Sequence, residues 1–447
     1  MHWDIINPTP KKDWINQRDG LFDSLILLGD KKKSEQVVFS IFSAGDITHR
    51  DSWCYSSSKH SLIENMQSCI SFYNSERNAI TDRSSLSKVM EQVNADETKL
   101  KWDQKLYEHA LKDVEHSFND DNVKVALYRP FFRQHLYYDA TYNWSRYQLP
   151  KLFPSDNLKN LLICVSGVGV TKDFSCIITD QLPDLELIGK SQCFPLYWYE
   201  ENKNQQGNLF DFDPPDDKYI RHDGITDWIL KEVRRRFGNA KAITKEHIFY
   251  YVYGILHSPQ YRERFAADLK KSLPRIPIVD NVQDFMAFYK AGKALAELHL
   301  NYEQVPPSPD VVAHIADAVY QEPTDDAPFG YTKYEHFAVD KMAFPKVRNQ
   351  AGKLVPDKSR IIYNGNITIE NIPAKAYEYI VNGKSAIEWI MERYAITQDS
   401  KSLIINDPND WSREHHNPTY IYDLLLSVIN LSVQSVDIIN SLPKLKI

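Results

Sequence analysis

Cysteine is scarce in this sequence: Cys54, Cys69, Cys164, Cys176 and Cys193 are the five in 447 residues, and no two form a CxxC pair. A disulfide scaffold and a zinc ribbon are thereby excluded, and the thiols read as reduced and buried, as in a cytosolic protein. The fourteen histidines supply no HxxxH pair and no His/Cys set at ligand spacing, so no metal site is expected. The opening MHWDIINPTPKKDW has no apolar core after a basic start, so no secretory signal is expected. Long hydrophobic runs are missing too. The most apolar stretch, residues 420–433, is interrupted by Asp423 and Asn430, so no membrane span is expected and the expected location is the cytoplasm. Phosphate loops fail on glycine. Gly189-Lys190-Ser191 and Gly383-Lys384-Ser385 imitate the end of one, but Asp184 and Glu378 stand where the first glycine is needed.

What is present belongs to a globular protein of two or three domains, 43% hydrophobic and 25% charged, with an aromatic share of 12% that is high. The net charge of −7 argues against a uniformly basic nucleic-acid binder, but the charge is polarised. Residues 231–275 carry eleven Lys or Arg against four acids, whereas residues 294–332 carry seven acids and neither Lys nor Arg.

The most unusual stretch is residues 128–147, YRPFFRQHLYYDATYNWSRY, in which eight of twenty residues are aromatic and Arg129, Arg133 and Arg146 are interleaved among them. Rings and guanidinium forks alternating along a β-prone segment can stack on bases while gripping phosphates. The same composition also describes a core strand whose arginines pair with carboxylates elsewhere.

The periodicities predict a mixed α+β fold. Residues 37–42 read as a buried strand, and residues 60–73 and 84–116 as helical, the latter as an exposed helical hairpin. Short strands are expected at 161–165, 174–179, 185–188 and 193–199, then a polar loop at 200–208. Beyond it the pattern turns helical, with Thr226, Thr244 and Ser258 as N-caps and a further helix over 284–302. Residues 331–372 read as β, with Asn364-Gly365 as a two-residue hairpin turn, preceded by a loop over 345–358. Ser385 and Glu388 form a capping box, and two final helices are expected at 419–430 and 433–442.

Three motif fragments bear on chemistry. Gly167-Val168-Gly169 follows a strand, as a dinucleotide or S-adenosylmethionine loop does, but the residues after it alternate like a strand. Asp213-Pro214-Pro215-Asp216 has the outline of the loop that holds a flipped base, with Asp216 where the stacking aromatic is required. Pro183-Asp184 and Glu201-Asn202-Lys203 have the spacing of a PD…ExK metal-dependent nuclease, in which Asp184 and Glu201 would hold the metal and Lys203 polarise water.

Longer segments carry a resemblance. DWINQRD, GDITHRDSW, LYRPFFRQHLYYD, TDQLPDLELIGKSQCFPLYWYE, ITKEHIFYYVYGILHSPQYRERF, LKKSLPRIPI, LAELHLNYE and IINDPND occur in an order that resembles the C-terminal portion of type ISP restriction-modification enzymes. Those are single polypeptides joining nuclease, helicase-like ATPase, adenine methyltransferase and target-recognition regions. The resemblance covers nearly the whole chain, although neither the catalytic Asn-Pro-Pro-Tyr loop nor the ATPase motifs are matched.

It implies three regions: 1–120 as the C-terminal tail of a methyltransferase-like domain with the helical hairpin, 121–220 as a β-rich aromatic and arginine region opening the specificity domain, and 221–447 as an α+β target-recognition region with helices and β-hairpins. The implied partner is double-stranded DNA, together with upstream methyltransferase and helicase domains in cis or in trans. S-adenosylmethionine, ATP and magnesium are implied for a full-length parent and no cofactor for this chain. Candidate DNA contacts are Arg50, Arg129, Arg133, Arg146 and Lys172 along the cleft, Arg262 and Arg275 from the basic region, and Lys346, Arg348, Asn349, Gln350 and Lys353 in the 345–358 loop. The leading expectation is sequence-specific recognition of duplex DNA for an upstream adenine methyltransferase. The PD…ExK nuclease is the enzymatic alternative, and a protein-interaction scaffold the third reading.

Overall fold

The structure is a computed structural model that describes residues 7–8, 12–14, 17–32, 34–202, 218–321 and 331–446. It is a mixed α+β fold, its helices and small sheets arranged around two hydrophobic cores. One core gathers apolar side chains from residues 53–193 and from 302–436, and the other joins residues 22–39 and 163–296 with the last turns of the chain. Each core thus draws on segments distant in sequence.

Two four-stranded sheets form the centre. In the first, Ser43–Ala44, Gln192–Pro195, Leu162–Val165 and Cys176–Thr179 lie side by side with every pair antiparallel. The strands Leu162–Val165 and Cys176–Thr179 are buried throughout, which is why they read as continuous apolar runs. In the second, Tyr55–Ser56, Phe132–Tyr137 and Val123–Arg129 are antiparallel, and Leu182–Pro183 adds a parallel edge. Residues 37–42 are not the expected strand: Val37, Val38 and Phe39 are buried, but the segment makes one bridge, Phe39 to Ile225. Residues 185–188 form a turn in place of the expected strand, because Asp184 takes the Glu186 N–H and its own carbonyl accepts from Leu187.

The helical expectations hold with their caps. Thr226, Thr244, Ser258 and Ser385 each accept a backbone N–H from the first turn, and Ser385 with Glu388 closes the capping box. The helices Lys245–His257 and Val282–Leu300 cross at glycines. A Cβ on Gly292 would lie 1.9 Å from the Tyr250 carbonyl oxygen, and one on Gly254 would lie 2.3 Å from that of Phe288. The C-terminal pair is one continuous helix, Tyr420–Asn440, because neither glycine nor proline interrupts residues 430–433. Its length and composition suffice to cross a membrane, yet 61% of its most apolar window is buried inside the fold.

Two hairpins differ from expectation. The Asn364-Gly365 turn is three residues long, since Tyr363 N–H donates to the Ile367 carbonyl and Asn366 joins the loop. The 345–358 segment is a second hairpin, Lys346–Arg348 paired with Leu354–Pro356.

Candidate nucleic-acid interface

The aromatic stretch folds inward. Phe131, Phe132, Tyr137, Tyr138 and Tyr142 are buried, and their rings pack on one another and on distant partners, with Phe132 at 4.9 Å from Tyr394 and Phe131 at 5.4 Å from Tyr302. Only Trp144 and Tyr147, at the end of the stretch, are exposed, and Trp144 stacks on His49. The stretch is therefore a core hairpin, and a base-stacking platform along its length is not present.

Its arginines follow the rings. Arg129 lies 3.8 Å over the Tyr128 ring and donates to Asp184 at 2.6 Å, while Arg133 donates to Glu303 at 3.0 Å beneath the Tyr302 ring. Arg50, 2% exposed, donates to Asp103 at 2.5 Å and to the Tyr142 carbonyl at 2.8 Å. These guanidinium groups are engaged by the buried Asp184, the half-buried Asp103 and Glu303 and by backbone carbonyls, so in this structure Arg50, Arg129 and Arg133 are held inside the fold and are not presented to a duplex as expected. Two arginines of the basic region are similarly engaged. Arg262 donates to the Leu256 carbonyl at 2.6 Å and reaches Cys176 Sγ at 3.3 Å, and Arg275 donates to the carbonyls of Asp23 and Leu25.

Arg146 and Lys172 differ. Arg146 lies half-buried, 5.0 Å over Tyr138, in the wall of a cleft of about 1170 Å³ that also admits Lys124, Lys151, Trp198 and Glu201. The hydroxyl of Tyr138 and Nε2 of His135, both buried in that wall, have no hydrogen-bond partner among the described residues. No sequence spacing announced the cleft, because its lining comes from residues 59 to 219. Lys172 is exposed, its stem lying over Gly383.

The 346–356 hairpin gathers the remaining five candidates on the outside of the molecule. Lys346, Arg348, Asn349, Gln350 and Lys353 are all exposed, and residues 345–356 contain three cations and no acid. No ion pair engages those cations among the described residues. The turn over residues 349–352 is closed by the Gly352 N–H donating to the Asn349 carbonyl, and Gly352 itself stands at φ +73°. Only glycine takes that conformation without a Cβ penalty. Asn349 Oδ1 accepts the N–H groups of Ala351 and Lys353 at 3.1 and 2.9 Å. Asn349 is therefore a turn-former, its acceptor occupied, whereas an adenine contact requires both ends of the amide. Arg348 Nη1 donates to the Gly352 carbonyl at 2.9 Å, which braces the guanidinium and leaves its other donors outward.

The alternative chemistry loses its geometry. Asp184 is buried in its pair with Arg129, and burial pushes its carboxyl up to about 7 against the pull of that arginine. Buried, and held by the Arg129 guanidinium and the Glu186 N–H, Asp184 is not presented to a metal ion beside Glu201. Glu201, itself exposed, ends the strand Tyr197–Glu201 opposite Tyr219, and no group of three His, Cys, Asp or Glu among the described residues has metal-holding geometry. Lys203 and the 213–216 motif lie outside the described residues. The glycine motifs serve packing: Gly167 N–H donates to the Gly189 carbonyl, and a Cβ on Gly167 would strike the Lys190 carbonyl at 2.2 Å.

Comparison with known proteins adds the following. Residues 37–424 match the Type ISP C-terminal specificity domain. Solved structures similar to the chain include three DNA complexes. The nuclease-deletion mutant of the type ISP restriction-modification enzyme LlaGI, in complex with a DNA substrate mimic, shares 34% identity at a TM-score of 0.81 over 100% of this chain and 37% of its own. The ATP-dependent type ISP enzyme LlaBIII bound to DNA shares 35% at 0.81 over 99% of this chain and 25% of its own. The DrdV–DNA complex shares 28% at 0.80 over 100% and 41%. This chain thus spans between a quarter and two fifths of the length of the structures it matches. No curated protein matches it.

Proposed function

The chain belongs to the type ISP C-terminal specificity domain family, and from that premise we propose that it reads a sequence in double-stranded DNA and positions the duplex for an adenine methyltransferase lying outside residues 1–447. The observation that carries this reading is the 346–356 hairpin, an exposed two-stranded ribbon with three cations, exposed amide chemistry and no acid. The DNA major groove, about 12 Å wide, admits a two-stranded β-ribbon, and Arg and Gln are the side-chain types that pair with guanine and adenine edges there. Lys346, Arg348, Gln350 and Lys353 are the proposed contacts on the hairpin, with Asn349 shaping the turn. Arg146 and Lys172 are proposed phosphate contacts, a role that needs only an exposed or cleft-facing cation.

The 1–120 region is proposed to face the upstream methyltransferase, and 121–220 and 221–447 to form the specificity part, sharing cores as described. S-adenosylmethionine, ATP and magnesium would serve the other domains of a parent enzyme.

Selection of duplexes from a randomised pool by the 447-residue chain tests the proposal. A consensus sequence is expected with the wild type, and it should disappear for the Lys346→Ala/Arg348→Ala/Lys353→Ala variant. Equal enrichment of one consensus by both proteins would remove the hairpin from the recognition role.

A further inference from the structure

The hairpin carries two exposed apolar side chains, Val347 at 36% and Leu354 at 54%, and the larger exposure is the one its own packing does not explain. Leu354 is 54% exposed although it sits in a strand. The register places it directly opposite Arg348, with Lys346 opposite Pro356 and Val347 opposite Val355. Side chains alternate across a strand, so Lys346, Arg348, Leu354 and Pro356 share one face and Val347 and Val355 the other. Val355 is half-buried and Val347 36% exposed, against 54% for Leu354, which makes the Arg348–Leu354 face the more exposed one. An isolated exposed leucine needs no explanation, but this one lies on the outer face of an acid-free ribbon beside a guanidinium that its own turn braces.

We propose that Leu354 is a specificity-determining residue that packs on the C5 methyl of a thymine while Arg348 contacts a neighbouring guanine. The inference rests on the proposed function and names the bases that the same hairpin reads. Opposed Cβ atoms on a ribbon are separated by about 4.5–5.5 Å, between one and two of the roughly 3.4 Å rises from base to base, so the two side chains address adjacent or next-adjacent base pairs. The chemistry is complementary. Arginine offers paired donors to guanine O6 and N7, the thymine methyl is the one apolar group exposed in the major groove, and Leu354 is the apolar side chain presented beside Arg348. Charge brings the ribbon to the duplex, since Lys346 and Lys353 flank the pair and no carboxylate between 345 and 356 opposes the phosphates. Minor-groove docking would leave Leu354 without an apolar partner.

The test uses the full chain and its selected consensus duplex, with each thymine replaced in turn by uracil, which removes only the methyl. For the wild type, one replacement beside the consensus guanine should weaken binding about fourfold, the worth of one buried methyl-sized group. For Leu354→Ala the same replacement should have no effect. Arg348→Ala should lose the guanine preference and keep the methyl preference. Thermal unfolding of Leu354→Ala should match wild type, since the residue is exposed.

A wild-type affinity indifferent to uracil at every position would overturn this inference alone, as would an undiminished methyl effect in Leu354→Ala. Failure of the wild type to bind any duplex would overturn the functional reading and this inference with it.

Discussion

Arg50 and Arg348 are the same residue type in opposite circumstances, and their substitution should separate stability from recognition. Removing the Arg50 side chain leaves the Asp103 carboxylate, 12% exposed, without its cation and the Tyr142 carbonyl with only the weak Cys54 thiol as donor. Breaking such a pair costs about 3–5 kcal/mol, so Arg50→Ala should lower the unfolding midpoint steeply in denaturant titration while the folded fraction keeps its DNA affinity. Arg348→Ala should show the reverse, an unchanged midpoint with about 1–3 kcal/mol lost at the preferred site in fluorescence anisotropy. Sequence alone did not distinguish the two, because a guanidinium that answers a buried carboxylate and one that awaits a ligand have the same local signature. Only the partners, Asp103 at 53 positions' remove and the Gly352 carbonyl at four, tell them apart. The run of residues 128–147 misled for the same reason: aromatic density marks either a platform or a core, and the rings of Tyr302 and Tyr394 that enclose it are far away in the chain.

Helix-level features were far more legible, since capping and apolar spacing are local. Thr226, Thr244, Ser258 and Ser385 cap where their spacing says they should. What spacing does not reveal is the crossing of Lys245–His257 over Val282–Leu300 through Gly254 and Gly292. Gly292→Ala would push a methyl into the Tyr250 carbonyl, so despite the better helix propensity of alanine the variant should unfold at lower denaturant, by about 1–3 kcal/mol of overpacking. A rise in stability would contradict this packing. The same helices enclose His299, whose Nδ1 lies 2.6 Å from the Tyr253 hydroxyl and whose Nε2 lies 3.1 Å from the Ser435 hydroxyl. Burial pushes its pKa down to about 3, and burial likewise takes His116 and His135 to about 4. An unfolded imidazole titrates near 6.5, so between that value and the folded ones the unfolded chain binds more protons. Stability from these residues is therefore complete above about pH 6.5 and falls on acidification toward pH 4 and 3, by up to about 1.4 kcal/mol per pH unit for each imidazole. Thermal melts across that range should show the decline, and a flat profile would contradict neutral burial.

At the scale of the whole molecule, the excess of acid over base is reconciled with DNA recognition by separation. Many cations of the body are spent on carboxylates or carbonyls, Arg129 on Asp184, Arg133 on Glu303 and Lys245 on Asp223 among them, while the hairpin keeps its own outward. The mixed α+β class and the family were readable from composition, periodicity and the order of segments. The 345–358 segment was legible as a carrier of candidate contacts but not as a hairpin, because it has neither the length nor the alternation of a strong strand pair and declares itself only when Lys346–Arg348 meets Leu354–Pro356. The most direct measurement is the salt dependence of affinity for duplex DNA, wild type against the Lys346→Ala/Arg348→Ala/Lys353→Ala variant. Each phosphate contact contributes about 0.9 to the slope of log affinity against log salt, so the variant's slope should be shallower by about two to three. Two parallel lines of equal slope would contradict the account, since the charges that meet the duplex would then lie elsewhere on the molecule.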